Sequence, residues 1–375
     1  MTASLAAITM PKWGLTMTEG KVVRWSKEQG AGFAPGDELL EIETSKITNV
    51  VEAETSGALA RIVAPEGTTL PIGALLAVVA PADAPAAEID AFVSRFVVVE
   101  PSSEDTTEQA AAMKTRELDI AGERLRYLEV GSPAGVPMVF LHGFGADLNS
   151  WMFNQPALAE DRRTIAFDLP GHGGSTKEVG AGDLATLVGV VEMALTTLGI
   201  ERMHLTAHSM GGALAATRAA RRPERVATLT LIAPAGFAPE INADFIEGFV
   251  RAARRKDTGD VLHMLVHDPS LVSRTMIEDV LRYKRLDGVT AALETIARAW
   301  FPGGRQAVNI VADVMALDLP VQVIWGRDDR IIPAQHADAV AARMQVHILD
   351  HAGHLPHMEK AGEVNRLMRQ IAGRT

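Results

Sequence analysis

Ser209 stands in Ala207-His208-Ser209-Met210-Gly211-Gly212, after the apolar run Met203 to Ala207 and before an alanine-rich segment of helical character. A serine on a tight strand-to-helix turn has its hydroxyl pushed up at the edge of a sheet. Small residues at 207 and 211 suit a turn where a larger side chain would clash. A serine alone is a weak nucleophile and needs a base, an acid that orients the base, and donors for the oxyanion. Candidates come in the order nucleophile, acid, histidine. Trp325 to Pro333 carries Asp328 and Asp329 just after an apolar run, and Ala352-Gly353-His354 comes after the last such run. His142-Gly143-Phe144-Gly145 succeeds the run at 137–141 and offers the main-chain N–H of Phe144 to pair with that of Met210. Together these residues suit transfer of an acyl group through an acyl-serine. A second reactive position is Lys46 in Glu43-Thr44-Ser45-Lys46-Ile47. Alternating apolar spacing over 38–43 and 47–52, broken by a small polar turn, predicts a β-hairpin with the lysine at its tip.

The surrounding elements fall into two kinds. Over residues 5–80, short strands punctuated by glycine are expected at 22–25, 39–43, 47–52, 59–63 and 75–79, which makes a small all-β domain of residues 1–80. From Thr115 onward, apolar runs at 137–141, 164–167, 203–207, 227–232, 321–325 and 346–349 suit strands buried on both faces. Helical patterns lie between them, as over 184–198 with Leu187, Val191, Ala194, Leu195 and Leu198 on one side. Residues 114–375 therefore read as a doubly wound α/β domain. Residues 237–305 show helical spacing and no convincing strand, and are expected as a lid over the active edge of the sheet.

Between the two domains, residues 81–113 hold seven acids and one arginine, −6 of the protein's net −11. Both ends of this segment are linker-like, and as a flexible coil it would span ~30 Å. In its middle, Ile89, Phe92, Val93 and Phe96 fall at i, i+3, i+4 and i+7, a helical stripe that either docks a partner or packs on a neighbouring domain. Composition sets outer limits. With 47% hydrophobic and 22% charged residues the chain can bury a real core. Its 375 residues contain no cysteine, which excludes disulfides, a thiolate nucleophile and a cysteine metal site. Net negative charge argues against nucleic acid. No apolar run reaches ~18 residues and no signal-like start is present, so no membrane and a cytoplasmic location are expected. His336, His347, His351 and His357 have no metal-ligand spacing, so no metal is expected, while His172 and His208 suit turns and packing. Arg251, Arg254, Arg255 and Lys256 form a basic cluster in the lid, either a solvated face or a contact for coenzyme A phosphates.

Two resemblances sharpen this reading. Met10-Pro11-Lys12-Trp13-Gly14-Leu15-Thr16-Met17-Thr18-Glu19-Gly20, then Gly36-Asp37, the hairpin and Gly57 resemble a lipoyl domain. That implies lipoic acid amidated onto Lys46 by a lipoate-attaching enzyme. Ser45 and Ile47 stand where biotin carriers have methionines. Residues 116–375 resemble the α/β-hydrolase family, nearest to lid-bearing esterases and carbon–carbon bond hydrolases. The resemblance implies Ser209 as nucleophile, His354 as general base, and Phe144 and Met210 as the oxyanion hole. Its Gly-x-x-Asp-x-x-x-Pro spacing selects Asp329 over Asp328 as the orienting acid. The two domains in one chain resemble the acyltransferase component of the acetoin dehydrogenase complex. That resemblance implies acetyl transfer from S-acetyldihydrolipoyl-Lys46 to coenzyme A. The implied partners are a thiamine-diphosphate acetoin-cleaving component and a flavin dihydrolipoyl dehydrogenase, around a homo-oligomer. The other readings are a serine hydrolase, a thioesterase or carbon–carbon hydrolase, tethered by its lipoyl domain, and a carrier whose C-terminal domain is an assembly scaffold.

Overall fold

The computed structural model describes residues 5–373 except 12, 14–16, 45–47, 54, 82–83, 97–113 and 133–134. The chain divides into two compact units, Met1–Ala111 and Ala112–Thr375.

The first unit is built from two four-stranded antiparallel sheets, with alternation of buried and exposed residues clearest in β2. One sheet joins β1 (Ala6–Thr9), β8 (Leu75–Val79), β6 (Gly57–Ile62) and β3 (Gly32–Phe33). The other joins β5 (Thr48–Glu52), β4 (Glu38–Glu43), β2 (Glu19–Trp25) and β7 (Thr69–Pro71). Val22, Leu40, Ile42, Leu59 and Leu76 are fully buried in its core. Glu43 pairs with Thr48 across β4 and β5, which puts Lys46 in the connection of this hairpin, outside the described residues. The apolar stripe after Pro81 is a helix, α1 (Ala86–Arg95), started by Pro85, whose fixed φ suits a helix entrance. Ile89 is buried against Leu75 and Val78 of β8, with Phe92, Val93 and Phe96 around it, and Asp90 meets Arg61 at 2.9 Å. This stripe packs on its own unit. The remainder of the expected linker, 97–113, lies outside the described residues.

The second unit carries an eight-stranded sheet in the order β16-β15-β14-β13-β11-β12-β10-β9. Its strands are β9 (Arg116–Ile120), β10 (Glu123–Val130), β11 (Met138–Leu141), β12 (Thr164–Phe167), β13 (Met203–His208), β14 (Val226–Ile232), β15 (Val321–Gly326) and β16 (Gln345–Leu349). β11 to β16 are parallel, and β11 to β15 are buried at every residue, because helices cover both faces. β9 and β10 add an antiparallel hairpin at one edge. The covering helices include α2 (Gln155–Ala159), α3 (Leu184–Thr197) and α4 (Met210–Arg221). α4 is buried from Met210 to Ala219, its alanines and glycines allowing close approach to the sheet. Between β14 and β15 the chain leaves the sheet and forms α5 (Ala243–Arg251), α6 (Arg255–Leu262), α7 (Arg274–Lys284) and α8 (Val289–Trp300), a wholly helical insertion over the described residues. α9 (Val311–Ala316), α10 (Pro356–Glu359) and α11 (Ala361–Ala372) complete the unit. No helix among the described residues is long and apolar enough to cross a membrane.

Candidate active site

Ser209 joins β13 to α4 with φ 53° and ψ −120°, a left-handed backbone that costs on the order of 1–3 kcal/mol for a non-glycine residue. Three main-chain hydrogen bonds hold it there. Its N–H donates to the Ile232 carbonyl at 2.9 Å, and its carbonyl accepts from Gly212 N at 2.9 Å and Ala235 N at 3.0 Å. The turn tolerates no bulk. A Cβ on Gly211 would lie 2.5 Å from the His142 carbonyl oxygen, and one on Gly143 would lie 2.9 Å from the Ser209 Cβ. The loops after β11 and β13 are thus in van der Waals contact. Met210 is the first residue of α4, so its N–H has no intrahelical acceptor and sits at the positive end of the helix dipole.

The loop after β11 is held by the His142 ring. Nδ1 meets the Gly143 carbonyl at 2.8 Å and Nε2 accepts from Leu169 N at 3.0 Å. Burial pushes the pKa of His142 down to about 4 and keeps the ring neutral. Leu169 belongs to Asp168-Leu169-Pro170-Gly171-His172, anchored by buried Asp168, which accepts from Arg126 Nε and from the main-chain N–H groups of Leu148 and Gly174. The Phe144 ring is enclosed by Phe249 of α5, Phe301 after α8, and His172, at 5.9–6.1 Å between centroids. The insertion therefore lies against the loop that offers the Phe144 N–H.

Acid and histidine come from the ends of β15 and β16. The Asp329 side chain is fully buried and its carboxylate accepts four hydrogen bonds. Oδ1 accepts from Ile331 N at 2.8 Å and Ile332 N at 3.0 Å, while Oδ2 accepts from Trp325 Nε1 at 2.9 Å and meets His354 Nδ1 at 2.8 Å. With both oxygens fixed, Asp329 sets which imidazole nitrogen carries the proton and leaves Nε2 as the basic one. Asp328 faces away, its Oδ2 2.8 Å from His267 Nδ1. The insertion reaches this side too, since His354 N donates to the Leu265 carbonyl at 2.7 Å.

Two further residues position His354: Glu359, which sequence reasoning did not single out, and His208, which it assigned to turns and packing. Glu359, in α10, accepts from Gly353 N at 2.8 Å and from His267 N at 2.6 Å, clamping the histidine loop to the insertion. Burial raises its pKa, and the hydrogen bonds from His267, Gly353 and Leu355 oppose that shift. His208 donates from Nε2 to the His354 carbonyl at 2.8 Å, and its ring packs at 4.7 Å from His354 and 4.6 Å from His357. Burial holds His208 well below its ordinary pKa and pushes His357 down to about 3, so both act as neutral packing rings. His172 is likewise buried, beside Pro170, with its pKa down at about 3. Separately, ligand atoms of His267, Asp328 and His351 lie within 4.8 Å of one another at the surface, close enough to hold a metal ion. Linear spacing carries no sign of this group, because its members are far apart along the chain.

Residues 136–361 match the model of the α/β-hydrolase fold, and residues 6–79 match that of the biotin-requiring enzyme family. The chain is 46% identical over 366 residues to the dihydrolipoyllysine-residue acetyltransferase component of the acetoin cleaving system of Pseudomonas putida, covering 98% of each chain. It is 41% identical to the corresponding component of Cupriavidus necator, over 99% of this chain and 98% of that one. A meta-cleavage product hydrolase of Pseudomonas fluorescens IP01 shares the second unit's fold, with a TM-score of 0.64 and 23% identity over 70% of this chain and 99% of that one. The order and geometry of the two units and the near end-to-end identity lead to one assignment: this chain belongs to the family of dihydrolipoyllysine-residue acetyltransferase components of acetoin cleaving systems.

Proposed function

We propose that this chain transfers an acetyl group from a dihydrolipoyl thioester to coenzyme A by way of an acyl-serine at Ser209. The observation that carries this reading is the 2.8 Å contact between His354 Nδ1 and the fully buried Asp329, in a unit that also holds Ser209 at φ 53° on a strand-to-helix turn. Lys46 itself is outside the described residues; its position in the sequence, between the paired strands β4 and β5, supports it as the residue to which lipoic acid is attached. The lipoyl group would supply the thiols that carry the acetyl group.

At the second unit, His354 Nε2 takes the hydroxyl proton as Ser209 Oγ bonds to the carbonyl carbon of the incoming thioester. The N–H groups of Phe144 and Met210 hold the oxyanion. As the C–S bond breaks, His354 returns the proton to the departing sulfur. In the second half, His354 takes the proton of the coenzyme A thiol, that sulfur attacks the acyl-serine, and Ser209 leaves with the proton restored. Water would divert the acyl-serine to acetate. The ring cluster of Phe144, Phe249 and Phe301 supports a dry site, because it closes the insertion down on the oxyanion loop. The same reading brings a thiamine-diphosphate acetoin-cleaving component and a dihydrolipoyl dehydrogenase as partners of a cytoplasmic homo-oligomer.

Tracking an acetyl label on the reduced, lipoylated protein with and without coenzyme A tests the proposal. Label should appear in acetyl-coenzyme A, and both Lys46→Arg and Ser209→Ala should abolish it. Free acetate formed at the same rate in both conditions would make this a tethered hydrolase. Transfer by Ser209→Ala at the parental rate would rule out the acyl-serine.

A further inference from the structure

Of the basic cluster in the insertion, Arg251 pairs with Glu247 on the surface of α5. Arg254 and Arg255 instead line a hollow of about 370 Å³ together with Arg282 and Arg285 from the end of α7. Glu278 is the one acid in its lining, 2.5 Å from Arg255, and Arg282 is held by Asp279 at 2.8 Å. Arg254 and Arg285 pair with no acid among the described residues. With Asp279 counted beside Glu278, four guanidinium groups against two carboxylates leave a local charge of +2 in a protein of net charge −11. Arginines gathered from two helices around a concavity are suited to phosphate, which they bind through forked, charge-assisted hydrogen bonds. The volume lies within the ~300–1,000 Å³ usual for ligand sites. Leu286, next to Arg285, is 52% exposed, the most exposed large apolar side chain among the described residues.

The hollow is tied to the oxyanion loop. Lys284 donates to the carbonyls of Phe249, Val250 and Ala252, which closes the C-terminal end of α5. Its ammonium lies 5.3 Å from the Phe249 ring centroid, and that ring packs against Phe144 at 6.0 Å. Tyr283 Oη donates to the Gly171 carbonyl at 2.7 Å, fixing α7 to the loop beneath. Lys284, next to Arg285, thus links the end of α7 to the α5 ring that packs on Phe144.

We propose that this hollow, formed by Arg254, Arg255, Arg282 and Arg285, binds the phosphorylated adenosine end of coenzyme A, with the pantetheine arm directed past α5 toward Ser209. The proposal rests on the acetyl-transfer reading above for its ligand, but the site has its own test. In the full-length lipoylated protein, adenosine 3′,5′-bisphosphate is titrated by calorimetry into the parent and into the Arg254→Ala/Arg285→Ala double variant. Binding to the parent that weakens at least tenfold in the variant is expected, and it should fade as salt is raised. No binding to the parent, or equal binding to both, overturns the proposal. In the transfer assay the double variant should raise the KM for coenzyme A at least tenfold, with kcat within twofold. Pantetheine, which lacks every phosphate, should serve parent and variant equally well as acceptor. An equal loss with pantetheine would mean that the substitutions disturb the reaction centre, and would also overturn it. If the parent releases acetate and never acetyl-coenzyme A, the transfer reading fails, and the bisphosphate titration still decides whether the hollow takes a phosphorylated nucleotide.

Discussion

Asp329→Asn removes one charge and adds two N–H donors at a carboxylate whose four partners are all donors. On the Oδ1 side the new amide nitrogen would face Ile331 N and Ile332 N, leaving two buried main-chain donors unpaired at ~1–3 kcal/mol each. On the Oδ2 side it faces Trp325 Nε1 and His354 Nδ1. Trp325 keeps a second acceptor there, the Ile332 carbonyl at 3.0 Å, and His354 can exchange tautomers. The amide nitrogen therefore takes the Oδ2 side, and His354 Nδ1 becomes an acceptor. Its proton then sits on Nε2, where a base for Ser209 needs a lone pair. Stability should change by no more than ~2 kcal/mol, while acetyl transfer should fall about 10³–10⁴-fold, equivalent to ~4–5.5 kcal/mol in the barrier. Single-turnover transfer of labelled acetyl to coenzyme A measures the rate, and thermal unfolding controls for the fold. Asp328→Asn, which disturbs only an exposed contact with His267, should stay within about threefold of the parent. A well-folded Asp329→Asn protein within tenfold of the parental rate would refute the assignment.

Gly143→Ala sets a Cβ 2.9 Å from both Ser209 Cβ and His208 Nδ1, so the oxyanion loop must shift. Transfer should drop about 10²–10³-fold with lipoylation of Lys46 unchanged by mass spectrometry. Ile89→Ala empties the contact between α1 and β8 and should destabilise the first unit by ~2 kcal/mol, read as a lower denaturant midpoint for that unit with Ser209 chemistry intact. His142, His172 and His357 are buried with pKa values pushed down to about 4, 3 and 3, so the unfolded chain binds their protons first. Stability is complete above their ordinary pKa near 6.5 and is lost as pH falls from there toward 4, with a slope of up to ~1.4 kcal/mol per pH unit for each ring. Asp147, raised to about 6 by burial and by Asp168, keeps its proton in the native state and offsets part of that slope between pH 4 and 6. A denaturant midpoint that stays flat from pH 7 to pH 4.5 would count against buried neutral histidines.

Local pattern determined much of this protein. Period-two alternation around Glu38–Glu43 and Thr48–Glu52 marks a hairpin, because a half-buried strand must alternate. Continuous apolar runs mark β11 to β15, because strands between two helix layers have no exposed face. The chain order of Ser209, Asp329 and His354 is legible since each comes just after a strand. The edge hairpin β9–β10 is not legible in the same way, for its strands mix charged with apolar residues and carry no continuous apolar run. Which residues meet across the fold is another matter. That α1 rests on β8, that Asp328 turns to His267, and that Glu359 clamps the histidine loop were decided by tertiary packing. So was the gathering of arginines from α6 and α7 around one hollow, which linear spacing cannot reveal. The physical reason is range. Backbone periodicity is enforced by neighbours a few residues away. A carboxylate or guanidinium takes its partner from whatever the closed core brings within hydrogen-bond distance.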